Sequence, residues 1–410
     1  MKCIIKLFAS ATMGVILLTA CKGTGVISTP DQMNHLTQSE SIEISDTNLK
    51  IAIISSVSGI DDGNFNEDIY NGIESFIKKN PGSEVTPIRE MSGDPEIVVE
   101  TVAETVAEYD VIVCCGFQFS GIGQIANKYP NKKFILVDAF PTNENGATAE
   151  FNNIYAMEFR DQESGFLAGV AAAIESRTKK VAVVTGMPYP SNVNYQYGFE
   201  SGVNYSNGKY YTGVECVELH LYSGTDIRHI NVGGNYIGSF SDKEKGKQIG
   251  KELIAQGCDI IFVAAGEAGK GVFNAVKEDK NAKQIKVIGC DVDQYDDGKD
   301  GNNNIILTSA LKNMHINVEK QLEAIAHNTF KGENAMLGAD TDSTGYIKQE
   351  GRNQLLSYTR SKLDEAYNLI KIGKIIPASN FNGVRPEDFI GVKLSTDDVR
   401  NKMKIVAQGD

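Results

Sequence analysis

Ser58-Gly-Ile-Asp-Asp-Gly-Asn-Phe-Asn66 joins two segments of different periodicity. Before it, Lys50-Ile-Ala-Ile-Ile-Ser55 is a short apolar run of the kind that forms a buried strand. After it, Ile69, Ile73 and Ile77 recur at helical spacing within 67–78. A loop rich in Gly, Asp and Asn therefore links the end of a strand to the start of a helix. In open α/β sheets ligands bind at the carboxyl ends of strands, beside helix N-termini whose free N–H groups attract polar ligands. Phe65 stands out in this polar loop. Two roles suit it: a staple beneath the helix, or a flat surface offered to a flat ligand.

The alternation continues along the chain. Asp94-Pro95 offers an N-cap and a proline at the first helical position, and Val98, Val102, Val106 and Ala107 carry that helix on. Asp110-Val-Ile-Val-Cys-Cys-Gly116 reads as a buried strand that ends in Phe117-Gln-Phe-Ser-Gly121. A short helix over 125–129 leads to Lys133-Phe-Ile-Leu-Val-Asp138, a strand closed by an acid. The pattern then restarts. A helix over 162–174 has Phe166, Leu167, Val170 and Ala171 on one face, Lys180-Val-Ala-Val-Val-Thr-Gly186 is a strand, and 194–205 is a helix. Asp242 caps a helix with Ile249, Leu253 and Ile254, which Gly257 stops. Asp259-Ile-Ile-Phe-Val-Ala-Ala265 and Lys286-Val-Ile-Gly-Cys-Asp291 are strands around a helix over 272–278, followed by a strand over 304–310 and a helix over 314–330. This order predicts an α/β fold of doubly wound parallel sheets. Two consecutive series of similar length predict two similar lobes, as does a chain of 410 residues.

The composition is that of a globular protein, with 41% hydrophobic and 23% charged residues. A net charge of −13 disfavours nucleic acid and anionic lipid surfaces as partners. Residues 1–20 read as a signal peptide: Lys2 and Lys6 flank an apolar segment that runs to Leu18, too short to span a membrane stably. Its removal takes away two lysines and no acids, which leaves −15. The stretch 21–48, rich in Ser, Thr, Gln and Asp, reads as a flexible tether. The lobes are expected over 49–157 with about 311–330, and over 158–310 with about 331–380; the tail 381–410 shows no sustained pattern.

Cys114, Cys115, Cys216, Cys258 and Cys290 mostly sit in or beside apolar runs without CxxC spacing, as buried thiols do. His35, His220, His229, His315 and His327 are scattered without ligand spacing. Gly266-Glu-Ala-Gly-Lys-Gly271 suggests a phosphate loop, but the required flanking Gly and Ser/Thr positions hold Ala264 and Gly271. It reads instead as a strand-to-helix turn whose backbone approaches a ligand. Asp61, Asp62, Asn66, Asp138 and Asp291 all fall at or just after predicted strand ends, which together point to a polar cleft rather than five separate caps. No catalytic nucleophile, metal or cofactor constellation accompanies them. The expectation is binding rather than catalysis.

Six segments carry a specific resemblance: Gly59-Ile-Asp-Asp-Gly-Asn-Phe-Asn66, Glu158-Phe-Arg-Asp-Gln-Glu-Ser-Gly-Phe-Leu-Ala-Gly-Val170, Tyr236-Ile-Gly-Ser-Phe240, Ala264-Ala-Gly-Glu-Ala-Gly-Lys-Gly-Val272, Val287-Ile-Gly-Cys-Asp-Val-Asp-Gln294 and Leu307-Thr-Ser-Ala-Leu-Lys312. Over about 48 to 375, the chain resembles the basic membrane protein family of lipoproteins, which includes the purine nucleoside receptor of ABC transporters. Leu18-Thr-Ala-Cys21 resembles a bacterial lipobox, whose cysteine is lipidated. The resemblance implies a type I periplasmic-binding-protein fold, with two lobes joined by three hinge crossovers and a nucleoside between them. Carried onto this chain, Phe65 and Phe240 would sandwich the base, Asn66 and Asp138 would meet the purine edge, and Gly266, Asp291 and Lys312 would hold the ribose. A carboxylate suits vicinal hydroxyls, and a lysine can donate to the same sugar. The chain departs from the family pattern at Ser56, where nucleoside receptors carry an acid, and at Gly121, where many relatives do. The segment from His220 to Asn235 is longer than the family pattern.

The expected protein is thus a monomeric, lipid-anchored, extracytoplasmic receptor on the cell membrane. It would need no cofactor, bind a nucleoside of the adenosine, guanosine or inosine class, and pass it to an ABC permease. A sugar receptor, a surface lipoprotein for adhesion or sensing, and a nucleosidase are the rival readings.

Overall fold

In the first strand five successive residues, Ile51 to Ser55, are buried. Only a strand covered by helices on both faces takes such a run, and the rest of the fold supplies those covers. The computed structural model describes residues 48–380 and 382–389. The expected signal peptide, Cys21 and nearly all of the tether lie outside the described residues, as does 390–410 of the tail.

The chain runs β1 (Lys50–Ser55), α1 (Phe65–Lys79), β2 (Glu84–Arg89), α2 (Pro95–Thr105), β3 (Val111–Cys115), α3 (Gly123–Lys128), β4 (Lys133–Val137) and β5 (Ile154–Phe159). It continues with α4 (Asp161–Glu175), β6 (Lys180–Thr185), α5 (Pro190–Tyr210), β7 (Glu215–Cys216) and a hairpin of β8 (Gly224–Thr225) and β9 (Asn231–Gly233). Then follow α6 (Lys243–Ala255), β10 (Ile260–Ala264), α7 (Gly266–Glu278), β11 (Lys286–Gly289), a second hairpin of β12 (Lys299–Asp300) and β13 (Asn303–Asn304), and β14 (Ile306–Lys312). The last elements are α8 (Met314–Ala326), β15 (Glu333–Leu337), β16 (Thr344–Tyr346) and α9 (Ser357–Lys371).

Two six-stranded sheets result, in the orders β15-β5-β4-β3-β1-β2 and β16-β14-β11-β10-β6-β7. All neighbours are parallel except β14 and β16. Each order reverses once beside its first strand, between β1 and β3 and between β6 and β10. Such a reversal opens a crevice at the carboxyl ends of the strands.

The chain passes between the sheets three times, after Phe159, Lys312 and Leu337. The crossing segments are bonded side by side: Arg160 N–H donates to Leu337 O (2.8 Å) and Asn313 N–H to Ser343 O (2.9 Å). Buried Glu163 accepts from Ala339 N–H and Thr344 Oγ1, both at 2.7 Å. The expected boundaries move accordingly. Residues 333–337, expected in the second lobe, pair with β5 in the first sheet, and Leu311 and Lys312, expected in the first, end β14 of the second.

Local signals placed several helices. Asp94 accepts from Glu96 N–H and Asp242 from Lys245 N–H, as their positions before α2 and α6 suggest. By contrast α7 begins at Gly266, earlier than expected, so the glycine-rich stretch forms its first turns. A Cβ on Gly271 would lie 1.9 Å from Lys243 O, so that glycine lets α6 approach. The same device is larger between α4 and α5. A Cβ on Gly165, Gly169, Gly198 or Gly202 would lie 2.5, 2.1, 2.3 or 2.2 Å from a carbonyl oxygen of the other helix. The two helices therefore meet backbone to backbone. The end of the described chain covers α5: Val384 and Phe389 are buried, and Asn204 Nδ2 donates to Pro386 O (2.8 Å). Part of the tail thus belongs to the second lobe.

Candidate functional site

One carboxylate organises the loop after β1. Asp62 accepts from the backbone N–H groups of Asn64 (2.9 Å), Asn66 (3.1 Å) and Glu67 (3.1 Å), and from Asn66 Nδ2 (2.8 Å). These bonds satisfy the first N–H groups of α1, which have no partner within the helix. Asp62 is thus a helix-capping acid that also lines the cavity described below, whereas Asp61 is exposed outside it. Because a carboxylate only accepts, the Asn66 atom beside Asp62 is its NH2 group. That group also donates to Ser56 Oγ (3.1 Å), which leaves Asn66 Oδ1 buried without a hydrogen-bond partner among the described residues. Phe65 starts α1, packs on the core of the first lobe and lines the cavity. The ring thus packs beneath the helix and also forms part of the cavity wall.

Asp138 and Asp291 occupy matching turns in the two lobes, just beyond β4 and β11, with φ of 63° and 64°. Asp tolerates this left-handed conformation better than most side chains because its short polar group can bond locally. Between them stands Lys312, the last residue of β14 and 1% exposed. Its ammonium lies 2.7 Å from Asp138, 3.1 Å from Asp161 and 3.0 Å from Ser191 Oγ. Tyr195 donates its hydroxyl proton to Asp291 Oδ1 at 2.9 Å. Burial alone would lower the Lys312 pKa, but Asp138, Asp161 and Asp291 together raise it. Asp161 is pushed up to about 8, first by burial, with Lys312 opposing and Asp138 and Asp291 reinforcing the rise. The Asp291 carboxyl is raised as well, first by burial, with Lys312 opposing. Asp138 Oδ1 has no hydrogen-bond partner among the described residues.

A cavity of about 320 Å³ between the strand ends of the two sheets gathers these groups except Asp161, which is in contact with Lys312 but does not line it. Phe65, Asn66, Asp138, Phe240, Gly266, Asp291 and Lys312 all line it. Its size falls within the roughly 300–1,000 Å³ of small-molecule sites. Ser56 lines it as well. Aromatic rings cross it: Phe117 of the first lobe lies 5.3 Å from Tyr189 of the second, and Tyr189 lies 6.0 Å from Phe240. Sequence reasoning missed Asp161, Tyr189, Ser191 and Tyr195. Asp161 had a signal, an acid at the head of an apolar helix inside a quoted motif, whereas the other three enter the site only through the fold of α5.

Two doubly wound lobes joined by three crossovers, with a cavity between their strand ends, define a solute-binding protein of the periplasmic-binding type. The chain belongs to the Bmp family, described as "ABC transporter substrate-binding protein PnrA-like", whose sequence model matches residues 49–220 and 228–380. The break at 221–227 falls inside the long segment that forms the β8–β9 region. An ABC transporter nucleoside-binding protein BmpA from Lactococcus lactis is 29% identical over 326 residues, covering 76% of this chain and 81% of the relative. Basic membrane protein A of Borreliella burgdorferi is 26% identical over 327 residues, covering 78% and 85%. Among solved structures, an ABC transporter solute-binding protein from Aeropyrum pernix superposes with a TM-score of 0.68 at 21% identity, covering 87% of this chain and 98% of that one, which shows the shared fold.

Proposed function

We propose that this chain is a lipid-anchored, extracytoplasmic receptor that captures a purine nucleoside and delivers it unchanged to an ABC permease. The observation that carries this reading is one cavity with aromatic rings from both lobes at its walls and an ammonium–carboxylate cluster at its base. A base stacks between Phe65 and Phe240. Asn66 Oδ1 and Asp138 Oδ1 accept from its N–H edge, since both lack other partners among the described residues. Asp291 and Lys312 take the ribose hydroxyls, one accepting and the other donating, close to the Gly266 backbone at the start of α7. The nucleoside-binding name of the Lactococcus relative supports the same ligand class. A single chain supplies every group named, which fits a monomer.

Titration calorimetry with adenosine, deoxyadenosine, guanosine and inosine tests the site. Phe65→Ala and Phe240→Ala should each weaken every nucleoside by roughly 1–3 kcal/mol, because stacking reads no hydrogen-bond pattern. Asp291→Ala should cost adenosine more than deoxyadenosine, and Asp138→Ala should change the ranking of bases. Wild-type protein that binds a free sugar and no nucleoside would refute the reading. So would Phe65→Ala that binds like wild type.

The anchor rests on Leu18-Thr-Ala-Cys21. Wild-type protein should partition into the detergent phase on phase separation, and Cys21→Ser should remain aqueous or unprocessed. Aqueous partition of processed wild type would remove the anchor from the proposal.

A further inference from the structure

Asp62 also bonds through its backbone. Its carbonyl oxygen accepts a hydrogen bond from Lys270 Nζ at 2.7 Å. Asp62 belongs to the first lobe and Lys270 to α7 of the second, so this bond spans the cleft. Lys270 is not among the residues that line the cavity. We propose that Lys270 is a positioning residue, a latch that holds the lobes closed and slows ligand release without touching the ligand.

Three features of the loop fit this role. The Asp62 carboxylate already accepts four bonds, and Gly63 N–H donates to Glu67 Oε2 at 2.8 Å, so the loop is fixed from within. Its carbonyl is therefore presented in one place. Gly63 has a φ of +71°, and a Cβ there would lie 2.9 Å from Lys270 Nζ, so glycine leaves the approach open. Lys270 itself sits one turn beyond Gly266, the cavity residue at the start of the same helix. The bond thus joins the helix that begins at the cavity in one lobe to the acid that orients Asn66 in the other. Lys312 and Asp138 also meet at this cleft, but both line the cavity and belong to the binding site. Contacts made only in the closed state favour that state, and their loss appears mainly in the rate of release.

The latch rests on the lobes closing over a ligand, and its test uses inosine as the probe with Lys270→Met and Lys270→Arg. Lys270→Met keeps the stem but loses the donor, and should release inosine about tenfold faster, the scale set by a hydrogen bond with one charged partner. Its association rate should stay within about twofold of wild type. Lys270→Arg keeps a cationic donor and should restore slow release. The thermal midpoint of Lys270→Met should match wild type, which a general packing role would not allow. Without ligand, small-angle scattering should give Lys270→Met a larger radius of gyration than wild type. Wild-type release by Lys270→Met, or fast release by Lys270→Arg, would overturn the latch. If wild type binds none of inosine, adenosine and guanosine, the nucleoside reading fails instead, and ligand-free scattering decides the latch: equal radii overturn it.

Discussion

Lys312→Met is expected to lower stability by about 3–5 kcal/mol and to abolish ligand binding. The figure is that for removing one partner of a buried ion pair, which leaves the remaining charge uncompensated. Here three carboxylates, on Asp138, Asp161 and Asp291, lose a cationic neighbour. The loss should depend on pH with a definite sign. Asp161 already has a folded pKa of about 8 against an ordinary 3.8, and without the ammonium that opposes this rise it goes higher. A carboxylic acid whose folded pKa exceeds its unfolded one favours the folded state below the unfolded value, and that favour is lost as pH climbs through the folded value. Denaturant unfolding of Lys312→Met should therefore show a deficit that grows as pH rises above about 8, where Asp161 ionises in the wild type and still holds its proton in the variant. A deficit that stays level through that range would mean that Asp161 titrates independently of Lys312.

Gly169→Ala and Gly202→Ala should each destabilise the protein by about 1–3 kcal/mol, the usual cost of overpacking. Alanine is favoured over glycine within a helix by roughly 1 kcal/mol, so the steric term must exceed that gain. It should do so here, because the added methyls would lie 2.1 Å from Phe199 O and 2.2 Å from Phe166 O. Neither oxygen belongs to a side chain that could swing away. The double variant should cost less than the sum, since one separation of α4 from α5 relieves both clashes. Asp161 opens α4, and Ser191 and Tyr195 lie early in α5, so ligand affinity should fall together with the thermal midpoint. Unchanged midpoints would show that the helices slide apart freely.

The parts of the fold legible in sequence were those with local causes. The apolar run of β1, the Asp94-Pro95 start of α2 and the Asp242 cap of α6 each carry their signal within a few residues. α9 was missed although Leu363, Ala366 and Ile370 are buried at helical spacing, because polar residues dominate the segment between them. β15 was missed because it is an edge strand with only Ala335 and Leu337 buried. The site divided in the same way. Residues at strand ends, such as Asp138 and Asp291, stand out because an acid closes an apolar run. Asp62 stood out equally, yet its carboxylate serves the helix, and no local pattern separates a cap from a ligand contact. Tyr195 and Ser191 lie inside a helix of mixed composition, and their relation to Lys312 exists only after the second sheet has formed.

The three crossings set an order in which the molecule can be finished. The first sheet begins with β1 but lacks its edge until β15 arrives, on the far side of nearly the whole second lobe. The second lobe in turn waits for β16, α9 and the segment that buries Phe389 against Phe166, with ring centroids 6.0 Å apart. A chain emerging amino end first from a ribosome or a membrane channel therefore cannot close either lobe early. Both are completed almost together, from contacts that are distant in sequence, which makes folding a late and concerted event. Until then the residues that line the cavity stay apart, because Phe65 and Lys312 are separated by most of the chain that must first be delivered.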